Sequence, residues 1–343
     1  MNGRIANMGF ACAMLVVAIH VSPESQAPVG SLFWTVHYAI LHVLAPAAVP
    51  FFFLASGYFM ARRADGSGWW RAQAFRRLRT LGVPFLVWCA VPLVLFTYLL
   101  PFGSMGGECS RVCPRASAYA AAFGFNLFTW PEANRPLWFM RGLLLLVVLA
   151  PLVRLAVRKV GVAVLIVLFA LHVVVNPGVC GYADFWLDGR WQIFWRFGFP
   201  LEGLFYFALG FRLNERPVVL NRKTGLLCGL AGLVVGSVRL VLSAHEVSAG
   251  VFLTPVSVAL VMAGLWSVIP SSPWPRALVA NAFPVYVMHA MFLRLVTEPV
   301  PILPRFAGVC FVEWALVFTC PLLLSIGLHR WLPRVSAIVF GGR

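Results

Sequence analysis

The chain has 343 residues, of which 61% are hydrophobic and only 11% charged, and its mean hydropathy is +0.87. Soluble domains have about half apolar and about a quarter charged residues, so this composition excludes a soluble protein and predicts a polytopic membrane protein. The net charge of +16 would indicate a nucleic-acid partner in a soluble protein, but its distribution along this chain indicates membrane orientation instead.

Apolar runs long enough to cross a hydrocarbon core recur along the chain, and none alternates as a barrel strand would. We therefore predict an all-α bundle of about ten transmembrane helices, in a single domain over residues 1–343 with no separate soluble domain. The predicted spans are 5–22, 31–61, 81–101, 137–153, 160–176, 192–211, 224–243, 251–269, 277–296 and 307–328.

Positive charge is concentrated in alternate loops, which hold 18 of the 27 lysines and arginines. The positive-inside rule places these loops and both chain termini in the cytoplasm. The first span lacks a small-residue cleavage site, so we expect it to be retained as a helix. The 18 basic residues of these loops and termini are Arg4, Arg62, Arg63, Arg71, Arg76, Arg77, Arg79, Arg154, Arg158, Lys159, Arg212, Arg216, Arg222, Lys223, Arg276, Arg330, Arg334 and Arg343.

His20 lies at the end of the first span, on the side predicted to be extracytoplasmic. Imidazole is the side chain best suited to exchange a proton near neutral pH, and it is costly in hydrocarbon, so we predict that His20 is a catalytic base. Glu24 would orient the ring if the helix continued through Pro23. The alternative interpretation is a histidine that extends to the membrane interface.

The second span contains Pro46 and Pro50, which predict a bend, and Pro46 would free the carbonyl of His42. We interpret His37 and His42 as structural or pore-lining groups. Near the inner end of this span, the small pair Ser56-Gly57 allows another backbone or a ligand to come close.

Several motifs follow one another along the chain in the order found in a known family. They are Pro50-Phe51-Phe52-Phe53 with Ser56-Gly57-Tyr58, Arg76-Arg77-x-Arg79 with Pro84 and Trp88, Pro136-Leu137-Trp138-Phe139-Met140-Arg141, Phe207-Ala208-Leu209-Gly210, and Phe283-Pro284-Val285-Tyr286-Val287-Met288-His289. By these motifs the chain resembles acyltransferase family 3, integral membrane acyltransferases that acylate extracytoplasmic sugars and related acceptors.

Residue chemistry and the resemblance together give three groups of candidate site residues. The catalytic candidates are His20, Arg141 and His289. The substrate-binding candidates are Trp138, Tyr286, Glu24 and Arg239. The candidates for binding an acyl-coenzyme A donor are Ser56, Gly57, Arg76, Arg77 and Arg79.

Each group has a structural alternative. The arginines from Arg76 to Arg79 either set topology or bind the donor's phosphates, and both roles are compatible. Trp138 and Arg141 form either a cationic platform near His20 or an interfacial anchor. Tyr286 and His289 either donate to the acyl carbonyl or the acceptor, or are a buried hydrogen-bonded pair.

The chain departs from the family pattern in its first span. Many members carry an arginine eleven residues before the first-helix histidine, and this chain has Gly9 there. Arg4 lies five residues further back, about 140° round the helix, and is not a simple replacement. We take Arg141 as the residue that assumes part of this role.

Polar residues in the later spans predict a polar chamber among the helices, since charges at membrane depth face one another or a wet cavity. They are Arg196, Glu202, Arg239 and Glu313. In an external loop, Asp184, Asp188 and Arg190 are interpreted as solvated, with sugar hydroxyls as the alternative.

Three cysteines, Cys109, Cys113 and Cys180, fall in external loops, where a disulfide is permitted but its pairing stays open. The others are interpreted as membrane packing, and no Cys/His spacing predicts a zinc site. They are Cys12, Cys89, Cys228, Cys310 and Cys320.

The predicted activity is transfer of an acyl group, acetyl first, from cytoplasmic acyl-CoA to a hydroxyl of an extracytoplasmic glycan or lipid-linked sugar. It requires a hydrated passage from the cytoplasmic face to His20 near the outer rim, with either direct transfer or an acyl-histidine relay. We expect a multi-pass protein of the bacterial inner membrane, without metal or nucleic acid; a homodimer stays open. The alternatives are a proton-coupled transporter using the membrane histidines and a structural membrane subunit.

Overall fold

The structure, a computed structural model, describes residues 2–21, 30–64, 66–95, 132–174, 201–245, 252–297 and 308–342. Within these ranges the chain is helical and forms an all-α bundle. Predictions that concern Glu24, the three external cysteines, Asp184, Asp188, Arg190 and Arg196 fall outside the described residues.

The helices, numbered in chain order, are separated by short turns or by undescribed segments. The first seven are α1 Asn2–His20, α2 Leu32–Ala39, α3 Ala48–Ala61, α4 Trp69–Arg77, α5 Val83–Val94, α6 Trp138–Val160 and α7 Val162–Val174. The others are α8 Leu201–Glu215, α9 Arg222–Ala244, α10 Leu253–Val268, α11 Arg276–Val279, α12 Ala282–Thr297, α13 Val309–Trp331 and α14 Pro333–Val339.

The described residues of each predicted span include a helix or a continuous helical run. Five are long and apolar enough to cross a membrane by length and composition: Gly3–His20, Leu32–Ala61, Trp138–Val160, Arg222–Leu242 and Val309–Trp331. Val162–Val173, Leu253–Val268 and Ala282–Thr297 are shorter apolar helices. The helices of the fourth and tenth predicted spans, α6 and α13, extend further than predicted, to Val160 and Trp331. The chain is a multi-pass membrane protein.

The second span departs from regular α-helix around Pro46, where the sequence predicts a bend. A π-helical turn, Ile40–Leu44, and a 3₁₀ turn, Ala45–Ala47, join α2 to α3. Pro46 removes the donor that would bind the carbonyl of His42, and Arg239 of α9 donates from Nη2 to that carbonyl at 3.0 Å. A membrane arginine thus satisfies the backbone group that the proline leaves free.

Glycines bring α3 and α8 into close contact. A Cβ at Gly57 would collide with the carbonyl oxygen of Phe207, and one at Gly210 would collide with that of Leu54. A Cβ at Gly203 would lie 2.7 Å from the ring of Phe53. Two helix backbones can therefore pack directly, which is how small residues associate membrane helices.

One end of the bundle carries the basic residues. Near the start of α1, Asn7 donates to the carbonyls of Pro270 and Ser272 at 3.0 and 2.8 Å. Further round this end, Arg158 pairs with Glu215 at 2.7 Å. We call the end of the bundle that holds the start of α1 and the Arg158–Glu215 pair the basic end. By the positive-inside rule it is predicted to face the cytoplasm.

Candidate active site

His20 and His289 lie next to each other. Their ring centroids are 5.0 Å apart, with 38° between the ring planes. His20 is exposed where α1 ends, whereas His289 on α12 is fully buried. An accessible imidazole backed by a buried one is suited to proton exchange with a bound group.

The hydrogen bond of His289 indicates which of its nitrogens carries the proton. Nδ1 lies 2.5 Å from the carbonyl oxygen of Tyr286, which can only accept, so Nδ1 donates. In the neutral ring Nε2 is then the acceptor, and among the described residues it has no hydrogen-bond partner. Neutral His289 is therefore suited to accept a proton. The sequence analysis had suggested that it donates to the acyl carbonyl or the acceptor.

Tyr286, predicted to contact substrate, has a protein partner. Its hydroxyl donates to the carbonyl of Pro136, in the 3₁₀ turn Glu132–Leu137 before α6. In the same turn, buried Asn134 donates through Nδ2 to the carbonyls of Trp88 and Val287, at 3.3 and 3.1 Å. These bonds fix the start of α6 against α12, beside the imidazole pair.

A cavity of about 380 Å³ lies between the basic end and the imidazole pair. Most of its lining is aliphatic or aromatic, contributed by α1, α3, α6 and α12 and by the segments next to them. The lining residues are Ile5, Ala6, Gly9, Phe51, Phe52, Ala55, Ser56, Phe59, Arg77, Leu81, Phe139, Leu143, Val279, Ala280, Ala282, Phe283 and Tyr286.

The cavity differs from the hydrated passage expected from the sequence. Its walls are mainly apolar, and it ends at Phe139 and Tyr286, whose rings pack edge to face at 5.7 Å. His289 lies three residues beyond Tyr286, so one helical turn separates the cavity from the imidazoles. Neither His20 nor His289 is among the residues that line the cavity.

Arg77 is the one of the three predicted donor-binding arginines that lines the cavity. Helix α4 is held in place through its tryptophans, because Trp70 donates from Nε1 to the carbonyl of Val147 at 3.0 Å and Arg154 lies 5.0 Å from the centre of the Trp69 ring. Arg76 donates to Gln73 of its own helix, and Arg79 is exposed.

Burial lowers the pKa of the Arg77 guanidinium to about 10, and the charges of Arg76 and Arg63 add to the effect. The group is protonated at neutral pH but lies among like charges. An anion bound here would relieve that repulsion.

Ser56 and Gly57 have different surroundings. Ser56 lines the cavity, whereas Gly57 faces the backbone of α8 at Phe207. The close approach expected from this pair is thus to a helix at Gly57 and to the cavity at Ser56.

Arg141 and Trp138 occupy the first turn of α6. Arg141 is buried, and its Nε and Nη1 atoms have no hydrogen-bond partner among the described residues. The ring of Trp138 lies 6.4 Å from that of Phe53. The guanidinium therefore retains donors for a further group, although it does not belong to the cavity lining.

Several residues near these sites were not singled out from the sequence. Asn134 was missed because a lone asparagine in a loop gives no signal in the sequence. Its role in holding the start of α6 is evident only from its two carbonyl partners in the fold. The aromatic residues Trp34 and Tyr38 were missed because tryptophan and tyrosine are common at membrane interfaces.

Among the described residues, no group of three or more His, Cys, Asp or Glu side chains is placed to hold a metal ion. The five cysteines interpreted as packing residues are free thiols.

Comparison with known proteins identifies the family. The family model described as an acyltransferase domain, that of acyltransferase family 3, matches residues 9–330. No curated protein and no solved structure gives a significant match. The match covers nearly the whole chain, including the helices that carry His20, Arg77 and His289. This protein therefore belongs to acyltransferase family 3 and is a membrane acyltransferase.

Proposed function

We propose that the protein transfers an acyl group, acetyl first, from cytoplasmic acyl-CoA to a hydroxyl of an extracytoplasmic glycan or lipid-linked sugar. The observation that carries the proposal is the His20–His289 pair one helical turn beyond an apolar cavity with Arg77 in its wall. Such an enzyme belongs in the inner membrane of a bacterium, with its basic end in the cytoplasm.

The cavity is suited to the donor. A volume of about 380 Å³ lies within the range of small-molecule sites, about 300–1,000 Å³. Its apolar walls suit the pantetheine arm and a short acyl group, and the guanidinium of Arg77 suits a phosphate of the nucleotide part. The thioester then lies at the Phe139–Tyr286 end, next to the imidazoles.

The chemical step needs a base and a group that stabilises the carbonyl oxygen. His20 removes the proton of the acceptor hydroxyl, whose oxygen attacks the thioester carbonyl. The C–S bond breaks, and the coenzyme A thiolate takes up the proton from the imidazolium. In this proposal, Nε2 of the neighbouring His289 accepts a hydrogen bond from His20 and so favours its protonated form; the 5.0 Å between the ring centroids supports it. In an acyl-histidine relay, the acyl group moves first to His20 and then to the acceptor hydroxyl, with the same products.

Replacing His20 tests this assignment directly. With radiolabelled acetyl-CoA and cell-envelope glycan acceptors, His20→Ala and His20→Gln should reduce transfer by at least about 100-fold, the usual contribution of a general base. His245→Ala, which removes an exposed histidine at the end of α9, is the matched control. Near-normal transfer by a well-folded His20→Ala protein would remove the imidazole from the mechanism.

Arg141 is proposed to donate to the developing oxyanion, because its Nε and Nη1 atoms are buried without partners in the described structure. Loss of one such donor costs about 100-fold in kcat, so Arg141→Ala should lower kcat strongly. Measuring kcat and the KM for acetyl-CoA decides the question. If neither constant changes in Arg141→Ala, this role is wrong.

A further inference from the structure

The two faces of helix α2 differ in chemistry. Leu32 and Val36 are 75% and 43% exposed on its outer surface, where lipid would cover them. Trp34, His37 and Tyr38 occupy the opposite face, towards the interior. In a membrane helix, polar groups that face the bundle mark a cavity or a binding site rather than a lipid contact.

The inner face carries a column of stacked rings. Trp34 and Tyr38 are parallel, with centroids 4.5 Å apart and 15° between the planes. Tyr38 in turn lies 4.1 Å from the ring of His42. The three residues are spaced by four along the helix, so the column extends about 12 Å along the span. All three side chains are partly exposed.

A guanidinium lies beside this column. Nη2 of Arg239 donates to the carbonyl of His42 at 3.0 Å, and Arg239 interacts electrostatically with Tyr38. Arginine has five N–H donors in a rigid fork, so this anchoring bond leaves others available. The anchored group therefore presents fixed donors next to the stacked rings.

The same region contains polar atoms without protein partners. Nε1 of Trp34 and both ring nitrogens of His37 are buried, and the described structure provides no hydrogen-bond partner for them. His37 is fully buried and packs edge to face against Phe311 of α13 at 5.4 Å. Each unsatisfied buried group costs about 1–3 kcal/mol, so their clustering indicates a polar occupant.

The column leads to the level of His20. Gly9 of α1 lies opposite Phe52, and the two helices run in opposite directions. The turn Ile40–Leu44, which holds His42 at the end of the column, packs against α1, the helix that ends at His20.

We propose that Trp34, Tyr38, His42 and Arg239 form the acceptor subsite and bind a sugar ring. A sugar offers apolar C–H faces that pack on an aromatic ring and hydroxyls that bond to a guanidinium and to indole or imidazole nitrogens. The subsite rests on the proposed function, because it gives the acceptor a route from the extracytoplasmic side to His20. None of its four residues lines the donor cavity, so both substrates can be bound together.

Sugar binding can be measured without catalysis. The full chain in nanodiscs is mixed with methyl α-glucoside, methyl α-galactoside or methyl α-mannoside, and saturation-transfer NMR reports binding. We expect at least one glycoside to bind the wild-type protein. Trp34→Ala and Arg239→Gln should weaken that binding about tenfold or more, since each removes contacts worth at least about 1.4 kcal/mol.

Matched variants separate binding from folding. Trp34→Phe and Arg239→Lys keep the ring and the charge and should retain most of the binding, and Val36→Ala on the lipid face of the same helix should retain all of it. His20→Ala should bind sugar normally while losing transfer. If sugar binds at this subsite but the wild-type protein transfers no acetyl group, the proposed function fails and the subsite stands. Absence of binding by every glycoside, or unchanged binding in Trp34→Ala and Arg239→Gln, overturns the subsite.

Discussion

Gly9 leaves space in the cavity proposed to bind the donor because it has no side chain. A Cβ added there would lie 3.9 Å from the ring of Phe52, an ordinary contact, so alanine fits while a larger group would enter the cavity. At this position many members of the family carry an arginine. The small residue therefore gives this protein a more apolar donor site than an arginine would allow.

Filling the cavity at Gly9 should weaken donor binding. Gly9→Leu introduces a side chain that must displace the thioester arm, and overpacking by about 1–3 kcal/mol corresponds to about a 5- to 150-fold rise in the KM for acetyl-CoA. Hexanoyl-CoA should be affected more than acetyl-CoA. Gly9→Ala serves as the control and should resemble the wild type. Equal KM values for Gly9→Leu and wild type would show that the donor lies elsewhere.

Arg77 gives a prediction that depends on pH. Its pKa is lowered to about 10 by burial and by the charges of Arg76 and Arg63, so it is protonated at pH 7 and loses its proton as pH rises through about 10. Affinity for coenzyme A should therefore fall between about pH 9 and 10. Arg77→Gln should weaken coenzyme A binding at pH 7, by titration calorimetry, and should remove this pH dependence.

Arg71 provides the matched control for Arg77. It lies on the same helix but is exposed, and Arg71→Gln makes the same change in charge without altering the cavity lining. Equal losses of coenzyme A affinity in the two variants would indicate a general effect of positive charge rather than a phosphate contact at Arg77.

At the level of elements, the contact between α3 and α8 depends on glycine. Gly57→Ala would force the Cβ against the carbonyl of Phe207, and the helices must separate to admit it. Overpacking of this kind costs about 1–3 kcal/mol, so we expect a lower unfolding temperature in detergent. Gly9→Ala adds the same methyl group where there is room and should leave that temperature nearly unchanged. A Gly57→Ala protein as stable as the wild type would contradict the close packing.

The second span shows how much of an element can be predicted. Pro46 indicated both a departure from regular helix and the freed carbonyl of His42, because proline lacks a backbone donor. The donor to that carbonyl, Arg239, is 197 residues away in sequence and could not be paired from spacing. Stacking of Trp34 on Tyr38 follows from their spacing once the helix is known, but the direction of their shared face depends on packing.

For the whole molecule, the orientation in the membrane can be tested. Val219→Cys places a thiol in the turn between α8 and α9 at the basic end, and His245→Cys places one at the other end of α9. In a background without the native cysteines, a membrane-impermeant maleimide should label only position 245 in intact cells, and position 219 after the cytoplasmic side is opened. The reverse pattern would invert the proposed direction of acyl transfer.

The sequence by itself determined the class of protein. Apolar runs of bilayer length predicted the ten helices, because a chain in lipid must satisfy its backbone hydrogen bonds internally. The motifs that end in Arg141 and His289 gave the family, which the family match confirmed. Such features are local or periodic along the chain, so they can be recognised from the sequence alone.

Only the tertiary structure decided how the candidate residues are grouped. It paired His20 with His289, placed Arg77 but not Arg79 in the cavity wall, and gave the hydroxyl of Tyr286 to Pro136. It also showed a mainly apolar cavity whose lining includes Tyr286 but neither imidazole. These outcomes depend on contacts between helices distant in sequence, which are set by side-chain packing and helix orientation rather than by spacing along the chain.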